Sequence, residues 1–254
     1  MSTARLSKLH ATGNDFLVHA GSLSGDLATR LCDRHRGVGA DGLILVLPGG
    51  RGADCSMVLY NADGGRAEMS GNGMRCLAWV AVEAGLGDGK RLVVDTDGGR
   101  RVVDVECDAN GQVTAATVDM GPVTFGASFE EGDTANVGNP HLVLFVDDVA
   151  RALVTTDGPL LEHDERFPNR TNVEFVKVTA PDELSMRVWE RGVGETLSCG
   201  TGACAAAAVA HRRGVVGETV TVKVLGGDLS VELGDTIRLG GPVVHVFDVE
   251  VDLA

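Results

Sequence analysis

Two stretches of sequence that open in the same way decide the fold. Residues 70–78 read SGNGMRCLA, and residues 199–207 read CGTGACAAA. Each begins with a small polar residue or a thiol, followed by Gly, a polar residue, a second Gly and an Ala-rich apolar run. The periodicity of these runs predicts helices over residues 72–84 and 200–213. Because both runs are apolar on every side, each helix is expected to be enclosed by the rest of its domain.

The surroundings of the two helices repeat the same order. The two starts lie about half of the 254-residue chain apart, and similar numbers of short strands precede and follow each helix. We therefore predict an α/β (α+β) fold of two pseudo-symmetric domains, each a curled mixed β-sheet around a central helix. Gly121-Pro122 is a turn signal and marks the boundary. The first domain covers residues 1–120 and is completed by 248–254, and the second covers 121–247.

Period-2 alternation and short valine-rich runs predict the strands of these sheets. They fall at residues 5–10, 16–20, 43–47, 56–60, 92–95, 101–107 and 113–120, and then at 135–137, 142–146, 172–178, 184–189, 219–224, 229–233, 236–239 and 243–249. A further short helix is predicted over 26–35, with single helical turns at 148–153 and 159–163.

Composition excludes several classes of function. The chain has 36 acidic and 22 basic residues, a net charge of −14, whereas nucleic-acid binding needs clustered Lys and Arg. No apolar run approaches the roughly 18 residues of a membrane span, and the first ten residues contain no apolar signal core. We expect a cytoplasmic protein with no nucleic-acid or membrane partner.

Metal and nucleotide sites are also not expected. The six cysteines and seven histidines include no CxxC or HxxxH pair, so neither a zinc site nor a disulfide framework is indicated. Residues 37–42 read GVGADG and match G-x-G-x-x-G, but this segment follows a predicted helix and opens a strand. A dinucleotide fingerprint requires the reverse order, so the segment is interpreted as a turn.

Cys199 is the best candidate nucleophile or base. It stands where a helix begins, and a helix N-terminus stabilises a thiolate, lowering the pKa from ~8.5 to roughly 3.5–7.5. The alternative is a buried core residue, the interpretation we adopt for Cys76 and Cys204. Polar, Gly-rich surroundings favour a functional, solvent-reachable Cys199. The nearby carboxylate, guanidinium and amides suit a zwitterionic amino acid better than a phosphate.

The chain resembles the diaminopimelate epimerase family of cofactor-independent amino-acid epimerases of lysine and cell-wall biosynthesis. The matching segments span nearly the whole chain: residues 10–16, 37–42, 61–64, 71–76, 138–141, 172 and 190–205. The resemblance implies a homodimer that uses no cofactor, binds the small amino acid diaminopimelate in a cleft between its domains, and carries two catalytic thiols on opposite faces of Cα.

The resemblance also implies roles for individual residues. Cys199 matches one catalytic thiol, and we expect His141 and Glu190 to tune it. The helix starts at Gly71-Asn72 and Gly200-Thr201 match the two segments that grip the α-carboxylate. The remaining substrate contacts match Asn14, Asn61, Asn139, Asn172, Glu190 and Arg191.

One position departs from the family pattern. Ser70 stands where the family has its other catalytic cysteine, and a hydroxyl is a far weaker acid than a thiol. Help of ~0.3–1 kcal/mol from the helix dipole does not close that gap. The chain is then an engineered Cys-to-Ser form, an epimerase in which Ser70 relays a proton, or a relative that needs one base, such as a dehydratase or isomerase. A catalytically inactive amino-acid-binding protein on the same fold is a further alternative.

Overall fold

A computed structural model of the protein describes residues 3–253. The chain divides into two compact units. Unit 1 runs up to Val118 and resumes at Gly241, and unit 2 covers Asp119–Gly240. The predicted boundaries were 120/121 and 247/248. The second crossing lies earlier than predicted because the last strand of the chain pairs along its whole length with the first strand.

The elements are numbered here in chain order. The first half contains β1 (Thr3–Ala11), β2 (Asn14–Ala20), α1 (Leu27–Cys32), β3 (Gly42–Pro48), β4 (Cys55–Asn61), β5 (Arg66–Ala67), α2 (Gly71–Glu83), β6 (Arg91–Thr96), β7 (Gly99–Cys107) and β8 (Val113–Gly121). The second half contains β9 (Thr124–Ser128), β10 (Gly132–Asn136), β11 (Pro140–Phe145), α3 (Val154–Glu162), β12 (Asn172–Ala180), β13 (Glu183–Glu190), β14 (Gly194–Thr196), α4 (Gly200–Arg212), β15 (Thr219–Val224), β16 (Gly227–Glu232), β17 (Ile237–Pro242) and β18 (Val244–Asp252).

The sheet of unit 1 is mixed and surrounds α2. Strands β18, β1 and β2 pair antiparallel in that order, β2 and β3 pair parallel across α1, and β3 and β4 pair antiparallel. Strand β4 then pairs with β5 and, in parallel, with β6, which leads through β7 to β8. Helix α2 packs on β1, β2, β3, β4 and β7, and every residue from Gly71 to Ala81 is buried.

Unit 2 repeats this order. Strands β9, β10 and β11 pair antiparallel, β11 and β12 pair parallel across α3, and β12 and β13 pair antiparallel. Strand β13 pairs with β14 and, in parallel across α4, with β15, which continues through β16 to β17. Helix α4 is enclosed by β10–β13, β15 and β16. This repetition confirms the predicted fold class.

Both central helices begin and end by the same local chemistry. The N-cap side chains, Ser70 and Cys199, accept hydrogen bonds from the N–H groups of Gly73 and Gly202, which satisfies one free donor of each first turn. Each helix stops before a Gly with positive φ, Gly85 at 73° and Gly214 at 71°, a conformation that favours Gly at the C-terminus of a helix.

The region predicted as two isolated turns differs in the structure. The turn predicted at 148–153 is present, with the N–H groups of Arg151 and Ala152 donating to the carbonyls of Asp148 and Val149. Residues 154–162 form a continuous helix, α3, with Pro159 inside it, so the single turn predicted at 159–163 is wrong. In the structure Gly158 faces Trp189, where an added Cβ would lie 2.6 Å from the Trp189 Cβ. The glycine therefore serves close packing. Among residues 3–253, no helix is long and apolar enough to cross a membrane.

Candidate active site

In unit 1, several predicted site residues meet at the start of α2. Asn72 is 3 % exposed, and its Nδ2 donates to the Oδ1 of Asn14 at 3.3 Å. The guanidinium of Arg75, which is fully buried, donates to the Oδ1 of Asn72 at 2.7 Å. The Oγ of Ser70 accepts from the Gly73 N–H at 3.1 Å. We call Asn14, Ser70, Gly71, Asn72 and Arg75 the α2 cluster.

Asn14 is also held from its other end. Its Nδ2 donates to Asp41 at 2.7 Å, and Asp41 in turn accepts from the guanidinium of Arg34 at 2.8 Å. Asn61, the remaining predicted contact in unit 1, lies at the exposed end of β4 opposite Gly42. Gly42 is paired with Phe16, two residues beyond Asn14, so Asn61 and Asn14 lie at the same end of the sheet.

In unit 2, Cys199 lies at the start of α4 and is only 5 % exposed. Its Sγ accepts from the N–H of Gly202 at 3.4 Å and lies 3.5 Å from the Oγ1 of Thr201. Helix geometry leaves the N–H groups of the first turn without a carbonyl partner inside the helix. The thiol therefore lies among hydrogen-bond donors, as predicted, but it is buried instead of solvent-reachable.

A line of hydrogen bonds connects this thiol to the sheet. The Nδ2 of Asn139 donates to the Oγ1 of Thr201 at 3.3 Å. The Oδ1 of Asn139 lies 2.9 Å from the Nε2 of His141. The Nδ1 of His141 lies 2.7 Å from the Oε1 of Glu174, and both side chains are fully buried. We call Cys199, Thr201, Asn139, His141 and Glu174 the α4 chain.

The other predicted residues of unit 2 lie around the turn after β13. Asn172 begins β12, Glu190 ends β13 and Arg191 begins the turn. The Oδ1 of Asn172 accepts from the Arg191 N–H, and its Nδ2 donates to the Pro140 carbonyl, both at 2.9 Å. Glu190 accepts from the hydroxyl of Thr196. The amide of Asn172 therefore fixes the backbone at Arg191, while the side chain of Arg191 is exposed.

Electrostatics at Cys199 corrects one expectation from the sequence. Burial raises the pKa of Cys199 well above its usual value, the charges of Glu190 and Glu174 raise it further, and hydrogen bonds from Thr201 and Gly202 lower it. The prediction of a lowered pKa is wrong because it counted the helix N-terminus and omitted desolvation. Burial also raises the pKa of Glu190, against hydrogen bonds from Thr196 and Cys199.

These two shifts suit proton exchange between neighbours. A carboxyl group with a raised pKa is a better acceptor for a thiol proton than an ordinary glutamate. Glu190 in contact with Cys199 is therefore placed to take the thiol proton and return it.

Sequence reasoning missed three acids that hold this arrangement, of which Glu174 and Glu162 are buried and Asp41 is exposed. Glu174 lies in β12, where most other residues are apolar, so the strand pattern gave no reason to single it out. Glu162 lies in a helix that was predicted as a turn. Asp41 was assigned to a turn. The available signal for Glu174 was its alternation with Asn172: on a strand, residues two apart share a face, so a candidate site residue at 172 places 174 on the same side.

Comparison with known proteins identifies the family of this chain. The family model described as diaminopimelate epimerase matches residues 6–126 and 134–245. The chain belongs to the diaminopimelate epimerase family. The resemblance inferred from the sequence is thereby confirmed, and the family is one of isomerases.

Relatives and solved structures extend this result. The diaminopimelate epimerase of Moorella thermoacetica is 43 % identical over 94 % of this chain and 96 % of its own length, and that of Synechococcus elongatus is 40 % identical over 98 % and 99 %. A hydroxyproline epimerase from Agrobacterium vitis, solved with trans-4-hydroxy-L-proline, has a TM-score of 0.76 at 18 % identity, covering 99 % of this chain and 93 % of that one. A predicted epimerase from Pseudomonas aeruginosa reaches 0.79 at 16 %, covering 99 % and 100 %. These two structures share the fold.

Proposed function

We propose that this protein interconverts LL- and meso-2,6-diaminopimelate by proton transfer at Cα. The observation that carries the proposal is Cys199. In a member of this family, a thiol caps the start of α4, contacts Glu190 and ends a line of hydrogen bonds to His141. An enzyme that exchanges a proton at carbon needs an acid–base side chain that is shielded from water and lies next to a proton acceptor.

Each residue then has a role that its chemistry suits. Cys199 exchanges the proton with Cα, and Glu190 takes the thiol proton. The N–H groups at Gly71-Asn72 and those at Gly200-Thr201 each suit a carboxylate, since a helix N-terminus favours an anion. That negative charge increases as Cα loses its proton, so the same donors stabilise the transition state. The substrate is oriented by the remaining predicted contacts, either directly or through the neighbours described above. These contacts are Asn14, Asn61, Asn139, Asn172 and Arg191.

Ser70 supports a second candidate function. It occupies the N-cap geometry of Cys199, and its hydroxyl accepts from the helix as the thiol does, but it is too weak an acid to give a proton to a carbanion quickly. An enzyme with one competent thiol exchanges the Cα proton on one face, as a one-base amino-acid isomerase or dehydratase does.

The proposal extends to the setting of the reaction. The enzyme acts in lysine biosynthesis, in the cytoplasm, as a homodimer and without pyridoxal phosphate. The acidic surface and the membership in this family support these statements. The size-exclusion mass of the purified protein and its turnover after removal of pyridoxal phosphate test the last two.

Turnover separates the candidates. The purified protein is incubated with LL- and then with meso-diaminopimelate in D2O, and isomers and Cα deuterium are followed by chiral chromatography and proton NMR. Interconversion of the isomers supports the epimerase, and loss of water supports the dehydratase. Binding without exchange would contradict both. Cys199→Ser keeps an N-cap acceptor and should abolish inversion and exchange, whereas a Cys199→Ser protein that still exchanges would refute the role of the thiol.

A further inference from the structure

Glu174 is a fully buried carboxyl group that neither the sequence nor the family resemblance assigned to the site. It lies in β12, two residues after Asn172 and two before the buried Val176. The alternate residues Val173 and Phe175 pack with α3, so Glu174 is on the face of the strand that points toward α4. Its Oε1 contacts His141 at 2.7 Å, and its Oε2 is buried without a hydrogen-bond partner among the described residues.

The first turn of α4 is shaped around this carboxyl group. A Cβ added at Gly202 would lie 2.7 Å from the Oε1 of Glu174 and 3.3 Å from the Sγ of Cys199. No side chain fits there without displacement, so Gly202 allows the carboxyl group and the thiol to approach the same point. Burying a carboxyl group with one oxygen unpartnered costs free energy, so such a group is unusual in an apolar core and is typical of a functional position.

The contacts give the α4 chain a single direction. The amide oxygen of Asn139 only accepts, so the Nε2 of His141 beside it carries a hydrogen. The amide nitrogen of Asn139 donates to the Oγ1 of Thr201, which leaves the hydroxyl hydrogen of Thr201 for the sulfur of Cys199. Every donor from the Nε2 of His141 onward therefore points toward the thiol. With Nε2 protonated, one further proton is shared between the Nδ1 of His141 and Glu174.

We propose that Glu174 is a positioning residue that fixes the protonation of His141 and thereby keeps the Thr201 hydroxyl directed at the Cys199 sulfur. The inference rests on the proposed function only in taking Cys199 as the reacting group. Without Glu174, the imidazole is free to carry its hydrogen on Nδ1 and accept at Nε2, and Asn139 then turns its amide. Thr201 would lose the hydrogen bond that it accepts from the amide nitrogen of Asn139. Its hydroxyl would then turn toward Asn139, and the Cys199 thiolate would lose the hydrogen bond from that hydroxyl.

Charge and orientation must be separated in the test, because several ionisable groups face Cys199. These are Glu190 and Glu174, whose charges disfavour the thiolate, and His141 behind Asn139. Glu174→Gln and Glu174→Met are both neutral and similar in length, and only Gln retains the hydrogen bond to His141. The difference between these two variants reports orientation at constant charge.

The measurement follows the thiol itself, without substrate. The protein is labelled with 13Cβ-cysteine, the Cys199 signal is assigned from the Cys199→Ser spectrum, and its chemical shift is followed across pH. We expect the titration midpoint of Glu174→Met to lie about one pH unit above that of Glu174→Gln, a tenfold smaller thiolate fraction at the same pH. Equal midpoints would overturn the proposal.

A double-mutant cycle tests the route. Thr201→Val removes the last link, so in that background Glu174→Gln and Glu174→Met should have equal midpoints. A difference that persists would show that Glu174 acts by another path and would refute the chain. Val176→Ala, which truncates a buried neighbour on the same face of β12, controls for loosened packing and should leave the midpoint unchanged; a midpoint shifted as far as that of Glu174→Met would likewise refute the proposal.

One measurement needs no variant. In 15N-histidine spectra of the unaltered protein, the Nε2 of His141 should be the ring nitrogen that carries a hydrogen, and an unprotonated Nε2 would contradict the proposal even if Glu174→Met fails to fold. Failure of the proposed function has a different signature. A protein that does not invert or exchange diaminopimelate, yet shows the expected titration midpoints, would retain the Glu174 inference and lose the function.

Discussion

At position 70, a hydroxyl occupies the same local structure that holds a thiol at position 199. Ser70 and Cys199 have similar extended backbone angles, φ −141° and −118°, and each accepts from the N–H three residues ahead. The fold therefore does not distinguish them, and Ser70 is a good helix cap in its own right. The difference lies in acidity, which affects the reaction and not the stability of the helix.

Replacing this hydroxyl tests the consequence directly. In D2O, we expect deuterium to enter Cα of one isomer faster than that isomer inverts, because one thiol removes and returns the proton on one face. Ser70→Cys should raise the rate of inversion at least tenfold, about 1.4 kcal/mol of barrier. Ser70→Ala adds no thiol and should not raise it. Equal exchange from both isomers, with no gain in Ser70→Cys, would show that serine suffices as the second acid.

Asp15 links the stability of unit 1 to pH. Burial alone would raise its pKa, but hydrogen bonds from Arg34 and Lys8 outweigh burial and lower it to about 2. The folded protein therefore binds this proton less readily than the unfolded chain, whose carboxyl titrates near 4. The stabilisation is complete above pH 4 and is lost as the pH falls to about 2, an amount of roughly 2 kcal/mol.

Asp15→Asn tests this linkage. It should destabilise the protein by several kcal/mol at pH 7, because Lys8 is buried and would lose its partner carboxylate. It should also flatten the decline in the free energy of unfolding between pH 4 and pH 2, as measured by urea unfolding. Asp235→Asn, at an exposed position, controls for the loss of one negative charge and should keep the decline. A decline that survives in Asp15→Asn would assign it to other carboxyl groups.

At the scale of elements, the sequence predicted what depends on local pattern. The two central helices were predicted to within one residue at each end, since an all-apolar run between N-cap and Gly signals determines them. The short strands β5, β9 and β14 were missed. They span two, five and three residues, and β9 is exposed throughout, so they lack the period-2 alternation on which strand prediction depends.

The candidate site was predictable where one residue type carries the chemistry. A thiol at a helix start identified Cys199, whereas its environment could not be foreseen, because desolvation depends on which strands enclose α4. Glu162 was missed for the same reason, because its role depends on contacts with distant segments. It projects from α3, and its carboxylate accepts from the Nε1 of Trp189 and the N–H of Gly192, both at 2.8 Å. Contacts that join distant segments leave no local pattern.

Glu162 should matter for both stability and substrate binding. Truncation in Glu162→Ala leaves the Nε1 of Trp189 and the N–H of Gly192 without their acceptor, at about 1–3 kcal/mol each. It also removes the ion pair with Arg170 and frees the turn that carries Arg191. We expect a lower midpoint of thermal unfolding and a higher KM for diaminopimelate, with a smaller change in kcat. Leu160→Ala, on the same helix at a position 70 % exposed, should change neither. An unaltered KM in a destabilised Glu162→Ala would confine the residue to a structural role.

At the scale of the whole molecule, the repeat extends to the end of the chain. Strand β1 of unit 1 corresponds to β10 of unit 2. The outer neighbour of β1 is β18, and the outer neighbour of β10 is β9. The C-terminal strand thus supplies the position that, in unit 2, is filled by the strand immediately upstream. This is why unit 1 takes up both ends of the chain.

Removal of β18 should therefore weaken unit 1 selectively. Val249 and Val251 pack on the α1 side of the sheet, and His245 stacks on Trp79 of α2 with ring centroids 4.5 Å apart. Deleting residues 244–254 exposes Trp79 and one edge of β1.

The chain has two tryptophans, Trp79 in unit 1 and Trp189 in unit 2, so Trp189→Phe and Trp79→Phe give a fluorescence probe for each unit. Truncation should shift the Trp79 emission to longer wavelength and lower the unfolding midpoint of unit 1, while the Trp189 transition stays in place. If both transitions fall together, the two units unfold as one cooperative structure and the C-terminal strand supports the whole chain.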